Sequence, residues 1–334
     1  MKSKNVGGKR LEWVDQAKGL GIFLVIYAHN IPLSEAYIYS FHMPLFFFVA
    51  GMFHPKLTSK STIVHRAKGI LIPYFFWATF LYVFWYFLGR HYGDSLNHDL
   101  DPLKGLVGVF YAQGDIEYMD WGIPMWFLPA IFVTFCLYSF LNLIRHKHIR
   151  LLSLVVLIVF GLAYPCFSDF KLPWSLDVAC VSLSFYALGN FLKPHLLEMT
   201  KIRLILFFII SVVMSLALAL LNSKIDMYRA QYGNELLFLL NGTSGTLMVL
   251  LFFKLINWNT VFSYLGKNTI LLLALHFRAL TVIKAGLLIF GIANFNFDEP
   301  SKFAVSCLQV ILILPVIFVV NKYIPLLNGK VKKA

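Results

Sequence analysis

Residues 10–29 read RLEWVDQAKGLGIFLVIYAH, a largely apolar stretch that is long enough to cross a membrane as one helix. About 20 predominantly apolar residues span the roughly 30 Å of hydrocarbon in a bilayer. The ionisable residues of this stretch that are expected at membrane depth are Asp15, Lys18 and His29. Because an ionisable side chain at membrane depth costs about 2.5–3.5 kcal/mol, these three residues are the first candidates for function.

The rest of the chain is equally apolar. Its 334 residues are 59% hydrophobic, 17% aromatic and only 13% charged. A soluble domain has about 25% charged residues, so the composition excludes a water-soluble enzyme, a disordered protein and a nucleic-acid-binding module. We predict an all-α, polytopic membrane bundle that forms one domain over residues 1–334. Its ten membrane-spanning helices are expected near residues 14–33, 37–53, 70–89, 123–144, 151–165, 176–192, 203–222, 235–256, 261–287 and 302–321.

The distribution of charge predicts the orientation, because lysine and arginine concentrate in cytoplasmic loops. With both termini in the cytoplasm, 21 of the 29 basic residues lie inside and 13 of the 16 acidic residues lie outside. The basic tails 1–12 and 322–334 are then cytoplasmic, and the acidic loop 90–122 is extracytoplasmic. Topology and contact with membrane lipid therefore explain the net charge of +13, and we expect no nucleic-acid partner.

Helical geometry relates the three ionisable residues of the first span. Lys18 and His29 differ by about 20° around the helix axis and are about 16 Å apart along it, so they share one face at two depths. Asp15 and Lys18 are three residues apart and can form an ion pair. The alternative interpretations are an interfacial ion pair with a snorkelling lysine, and an imidazole that caps or bridges helices near the outer surface.

Two further histidines are expected at the depth of His29. His42 opens the second predicted span on its outer side, and His276 lies about fifteen residues from the inner start of the ninth. The three histidines either converge on one polar chamber or face apart, and the sequence leaves both arrangements open. We expect no metal, because no carboxylate or cysteine stands at zinc-ligand spacing beside them.

Basic residues gather near the predicted inner ends of the first and third spans. Lys18, Arg66 and Lys68 suit phosphate recognition, since arginine binds phosphate in a bidentate manner and lysine acts as a point charge. The alternative is a basic inner loop that only follows the positive-inside rule.

The run from Arg10 to Gly19, continued to His29, resembles the opening helix of the acyltransferase 3 family. These are membrane-bound O-acyltransferases of bacteria that modify sugars and envelope polysaccharides. The family pattern is a basic residue, ten residues and a histidine, and Lys18 and His29 fulfil it with lysine where arginine is commoner. Similar blocks follow in the family's order, namely FHMPLFFFVAGMF (41–53), HRAKGILIPYFFW (65–77), PMWFLPAIF (124–132) and SYLGKNTILLLALHF (263–277). The second and last of these five blocks most resemble the sugar O-acetylase subgroup.

The resemblance has one departure, before the third span. The family carries a pair of basic residues there. Arg66 matches the first, but Gly69 stands near the second with Lys68 beside it. The resemblance implies an enzyme of the bacterial inner membrane. Its donor would be cytoplasmic acyl-CoA, most often acetyl-CoA, and its acceptor a hydroxyl of a glycan or lipid-linked sugar.

The resemblance also suggests roles for the candidate residues. His29 is expected to act as general base, because an imidazole pKa of about 6.5 suits proton transfer at neutral pH. Asp15 and His276 complete the predicted catalytic group, with Asp15 structural or donor-binding and His276 orienting the acceptor or stabilising an oxyanion. Donor binding is assigned to Lys18, Arg66 and Lys68, and substrate binding to His42, Trp126 and Arg278.

Three alternatives stay open at this point. A covalent acyl-histidine intermediate would replace direct transfer. A transporter or flippase of a lipid-linked sugar is the main rival function, although such proteins are expected to show paired half-repeats and the sequence has none. A non-catalytic membrane receptor or assembly subunit is the third. The acceptor glycan, the acyl group and the oligomeric state cannot be read from the sequence.

Overall fold

The computed structural model describes residues 10–256, 261–292 and 295–331, and it is built from helices joined by turns. The α-helices in these ranges are α1 (Glu12–Ala28), α2 (Glu35–Tyr39), α3 (His42–Met52), α4 (Lys60–Phe87), α5 (Pro102–Tyr111), α6 (Ile116–Met119), α7 (Phe127–Leu141), α8 (Lys147–Ala163), α9 (Leu176–Glu198), α10 (Lys201–Leu221), α11 (Glu235–Ile256), α12 (Val261–Gly266), α13 (Thr269–Ile289) and α14 (Glu299–Tyr323). The predicted basic tails lie partly outside the described residues, which exclude 1–9 and 332–334.

The predicted all-α membrane bundle is confirmed, with two of its spans shorter than a bilayer. Eight helical segments of the described chain are long and apolar enough to cross a membrane. They are α4, α9, α10, α11, α13 and α14, together with α7 and α8 when the 3-10 turns Ile123–Trp126 and Tyr164–Cys166 that extend them are included. The first and second predicted spans correspond to α1, with 17 residues, and α3, with 11. At 1.5 Å per residue α3 is about 16 Å long, roughly half the hydrocarbon thickness. Nine of its residues are buried, so protein rather than lipid surrounds this short helix.

The ninth predicted span, 261–287, is broken at Asn268 into α12 and α13. The side-chain nitrogen of Asn268 donates to the carbonyl of Tyr264 at 2.7 Å. Its side-chain oxygen accepts from Asn321 at 2.8 Å and from Asn328 at 2.7 Å. These bonds satisfy polar groups at the end of α12, which allows the chain to break inside the protein.

The connections between the long helices gather on two opposite faces of the bundle. On one face, which we call the chamber face, the loops contact one another: Lys224 Nζ is 2.9 Å from Glu35 Oε1, and Lys171 Nζ donates to the Tyr228 carbonyl at 3.3 Å. On the other, which we call the basic face, the ends of several helices surround one large cavity together with residues 325–331, which we call the C-terminal turn. Helices α1, α3 and α13 pack together between these faces and position the three predicted histidines.

Two glycines allow α1 and α12 to approach closely. A Cβ at Gly19 would overlap the carbonyl group of Phe262, and a Cβ at Gly266 would overlap the carbonyl group of Asp15. Small residues at such crossings let the backbones of membrane helices come into contact. The crossing therefore holds the part of α1 that carries Asp15 and Lys18 against the break before α13.

We expect Gly266→Ala to lower the thermal stability of the protein in detergent, because the added methyl group must displace the backbone of α1. Over-packing of this kind costs about 1–3 kcal/mol. Gly286→Ala is the matched control, since no atom lies within 4 Å of a Cβ at Gly286. Melting curves followed by tryptophan fluorescence would test this, and equal melting temperatures for the two variants would contradict the close crossing.

Candidate active site

Three histidines from separate parts of the chain meet towards the chamber face. His29 follows α1, His42 begins α3 and His276 lies in α13. The ring centroids of His29 and His276 are 5.0 Å apart, while His29 and His42 line one cavity. His276 is fully buried beside His29 and is not among the residues that line this cavity. The convergence that the sequence left open is therefore present.

Each of these imidazoles is fixed through its Nδ1 atom. In all three rings Nδ1 lies 2.7–2.8 Å from a backbone carbonyl oxygen of the preceding turn. Because a carbonyl oxygen only accepts, Nδ1 donates, and Nε2 of each neutral ring carries a lone pair. This tautomer suits His29 as a general base. It does not suit the predicted oxyanion role of His276, because a lone pair cannot donate a hydrogen bond.

Amide side chains support the histidines, and the sequence analysis missed them. Asn30 Nδ2 donates to Gln309 Oε1 at 2.7 Å and to Ser306 Oγ at 2.9 Å. Gln309 Nε2 in turn donates to the carbonyl of His276 at 2.8 Å. This network connects the end of α1 to α13 through α14. A signal was available, because Gln309 interrupts the apolar run of α14 at a depth where polar residues are costly.

The cavity that contains His29 and His42, which we call the histidine chamber, has about 480 Å³ of space between its lining atoms, including space open to solvent. Trp126, predicted to bind substrate, lies in its wall. Further lining residues that the sequence analysis did not single out are Val25, Tyr39, Met43, Ile123, Pro124, Asp226, Met227, Tyr228 and Leu273. Several of these come from the loop between α10 and α11, which reaches the chamber only through tertiary folding.

A second cavity, which we call the basic cavity, opens on the basic face with a volume of about 1980 Å³. One carboxylate, that of Asp15, stands among the charged side chains that line it in the described chain. Asp15 forms ion pairs with Arg10 and with Lys18, whose Nζ lies 3.0 Å from Oδ1, so the predicted Asp15–Lys18 pair is confirmed. The cationic side chains of the lining are Arg10, Lys18, Arg66, Lys193, Lys267 and Lys330. The lining therefore carries a large excess of positive charge.

The C-terminal turn supplies one of these cations in a fixed position. Lys330 Nζ donates to Asn321 Oδ1 at 2.7 Å. Burial, followed by the charges of Arg10 and Lys267, lowers the pKa of Lys330. Cations that repel one another in this way are stabilised when an anion binds between them.

A narrow apolar cavity, which we call the neck, lies between the two larger ones. It shares Phe46, Phe127, Leu128, Thr269 and Ile270 with the basic cavity, and it shares Val25, Met43 and Leu273 with the histidine chamber. The three cavities therefore lie in series between the basic face and His29, and we call this series the route. Lys18 lines its first part and His29 its last, as their shared helix face predicts.

One known protein family matches nearly the whole length of this chain. The family profile described as an acyltransferase domain, that of acyltransferase 3, matches residues 11–321. The chain belongs to the acyltransferase 3 family. The resemblance seen in the sequence is thereby confirmed, and the protein is a multi-pass membrane acyltransferase. Neither the curated proteins nor the solved structures contain a match to it.

Two residues predicted for the acyltransferase site lie away from the cavities. Lys68 is exposed and does not line the basic cavity, whereas Arg66 does. Arg278 lies over the ring of Phe84 at 5.1 Å and is not part of the lining of the histidine chamber. The structure thus brings together His29, His42, His276 and Trp126 at one end of the route and Asp15, Lys18 and Arg66 at the other.

Proposed function

We propose that this protein is an O-acyltransferase that transfers a short acyl group, acetyl in the first instance, from cytoplasmic acyl-CoA to a hydroxyl of a cell-envelope sugar. The observation that carries the proposal is the series of three adjacent cavities that leads from the basic cavity to His29. The enzyme would act in the bacterial inner membrane, with the basic face and both termini in the cytoplasm, as the distribution of lysine and arginine predicts.

The basic cavity has the charge that an acyl-CoA donor requires. The phosphates of CoA are anionic, and arginine and lysine are the side chains that bind phosphate best. The pantetheine arm is long, thin and uncharged, and it suits the apolar neck. With the phosphates held near Lys18, the arm would need to reach about 16 Å along α1 to bring its thioester to His29.

The chemistry then needs one base. His29 Nε2 accepts the proton of the acceptor hydroxyl while the hydroxyl oxygen attacks the thioester carbonyl. The carbon–sulfur bond breaks and the proton passes to the departing sulfur, which yields an ester and free CoA. An acyl-histidine intermediate would use the same lone pair as a nucleophile.

The direct test uses purified protein in lipid nanodiscs with acetyl-CoA that is isotopically labelled in its acetyl group. Release of CoA thiol together with label in an ester of an added envelope glycan is the expected result. A protein that releases no CoA under any condition, yet moves a lipid-linked sugar across vesicle membranes, would contradict the proposal and favour a flippase.

Arg66→Ala is expected to raise the KM for acetyl-CoA by about 10- to 100-fold, because a hydrogen bond to a charged group contributes about 1.5–3 kcal/mol. Lys68→Ala is the matched control, two residues along the same helix and outside the basic cavity, and it is expected to change this KM less than about twofold. Steady-state rates of CoA release give the KM for acetyl-CoA of both variants. Equal effects of the two substitutions would show that general surface charge, rather than the cavity, attracts the donor.

A further inference from the structure

A rigid hairpin between α10 and α11 forms part of the wall of the histidine chamber. Asn222 closes its base: Oδ1 accepts from the amide of Asn234 at 2.8 Å, and Nδ2 donates to the carbonyl of Tyr232 at 3.1 Å. Closer to the tip, the backbones of Asp226 and Gln231 exchange two hydrogen bonds of 2.8 and 3.0 Å. These contacts place Asp226 at the chamber without requiring a ligand.

The carboxylate of Asp226 faces the chamber with unused capacity to accept hydrogen bonds. Its residue is only 7% exposed, yet among the described side chains none donates a hydrogen bond to it. The nearest cation, Arg229, holds its Nε atom 3.8 Å from Oδ2, which is beyond hydrogen-bond distance. A buried carboxylate is costly unless hydrogen bonds satisfy it, so a ligand that displaces water from the chamber must supply donors of its own.

Aromatic rings complete the surroundings of this carboxylate. Tyr39, Trp126 and Tyr228 line the same chamber as Asp226. Two cations lie near the ring of Tyr228, with Lys171 Nζ 5.4 Å from its centre and the guanidinium of Arg229 at 5.2 Å. Aromatic side chains together with a carboxylate, which only accepts, suit a ligand that offers both C–H surfaces and several hydroxyl donors.

We propose that Asp226 binds the acceptor, and that its carboxylate accepts hydrogen bonds from hydroxyls of a neutral, polyhydroxylated molecule while a neighbouring hydroxyl reaches His29. This assignment rests on the proposed acyltransferase function and adds to it the residue that positions the acceptor and the class of acceptor. Tyr39 contributes a second polar contact at the same wall.

The pH dependence of acceptor binding follows from this assignment. Burial raises the pKa of Asp226 to about 6, against the opposing charges of Arg229, Lys224 and Lys171. The acidic groups that face it are Glu35 and Tyr39 of α2 and Tyr228 of its own hairpin, and the imidazoles of His29 and His42 line the same chamber. Below pH 6 the carboxyl is protonated and accepts hydrogen bonds poorly. The KM for the acceptor is therefore expected to rise as the pH falls from 7 to 5, and Asp226→Asn should remove that rise.

The experiment measures acceptor-dependent CoA release from acetyl-CoA in nanodiscs, with maltotriose, cellotriose and triacetylchitotriose as acceptor probes. Asp226→Asn is expected to raise the KM of the best probe by about 10- to 100-fold, the range for a hydrogen bond to a charged group, and to leave the KM for acetyl-CoA within about twofold. The matched control is Glu117→Gln, whose carboxylate pairs with Lys104 at 2.7 Å and does not line the chamber. It is expected to change neither KM.

The outcomes separate this assignment from the proposed function. If wild type transfers acetyl groups and Asp226→Asn keeps the acceptor KM within twofold, the assignment is overturned and the acyltransferase function stands. Slow hydrolysis of acetyl-CoA that none of the three probes accelerates overturns the neutral, polyhydroxylated class alone. Absence of any CoA release overturns both. Tyr39→Phe, which removes one hydroxyl, serves if Asp226→Asn fails to fold, with an expected increase in the acceptor KM of at least about threefold.

Discussion

His29→Gln is expected to lower acyl transfer by about 100- to 10,000-fold, the range that a general acid–base side chain contributes to a rate. Glutamine is polar and of similar length, but it has no lone pair basic enough to take a proton from a hydroxyl. Acetyl-CoA binding should persist, because the basic cavity, which we propose holds the phosphates, lies at the opposite end of the neck. Transfer of labelled acetyl groups, measured together with stabilisation of the variant by CoA, separates the two effects.

The matched control for this prediction is His195→Gln, because His195 is exposed near the end of α9 and touches none of the three cavities. It is expected to retain full activity. If His29→Gln retains more than about a tenth of the wild-type rate at equal protein levels, His29 is not the base. Nε2 of His42, which opens on the same chamber, would then be the next atom to test.

Long helices were predictable from the sequence, whereas breaks inside the protein were not. Apolar length alone identifies segments such as α10 and α14, because lipid admits only runs of this kind. It cannot show that α3 ends after 11 residues or that Asn268 separates α12 from α13. At those points other helices replace lipid as the surroundings, and a polar network satisfies the free backbone groups.

Within the candidate site, helical periodicity predicts which residues line the route and which point away from it. It places Lys18 and His29 on one face, and both line the route. The same geometry puts residues two apart about 200° from each other, so Lys68 points away from the side of α4 that carries Arg66. Arg278 is likewise two residues from His276 in α13, so it points away from the side of that helix that carries His276. Asp226 had no such signal, because only tertiary folding brings its hairpin to the histidines.

Thr269→Phe is expected to abolish acyl transfer, with a loss of at least about 100-fold, while acetyl-CoA continues to bind. Thr269 lines both the basic cavity and the neck, so a phenyl ring there would occupy the passage that the pantetheine arm needs. A displacement of only about 1 Å from the reactive geometry can cost 100-fold in rate. Calorimetry with CoA and the rate of acetyl transfer, measured on the same preparation, test the two halves of this expectation.

Val282→Phe is the matched control, since Val282 lies on the same helix but is 60% exposed on its outer surface. It is expected to transfer acetyl groups at the wild-type rate. In the proposed function CoA enters from the basic face, so blocking the neck is expected to leave its phosphates bound and to remove only the reaction at His29. A folded Thr269→Phe variant that transfers normally would therefore show that the thioester reaches the histidine by another path. Loss of CoA binding in that variant would instead place the obstruction in the basic cavity itself.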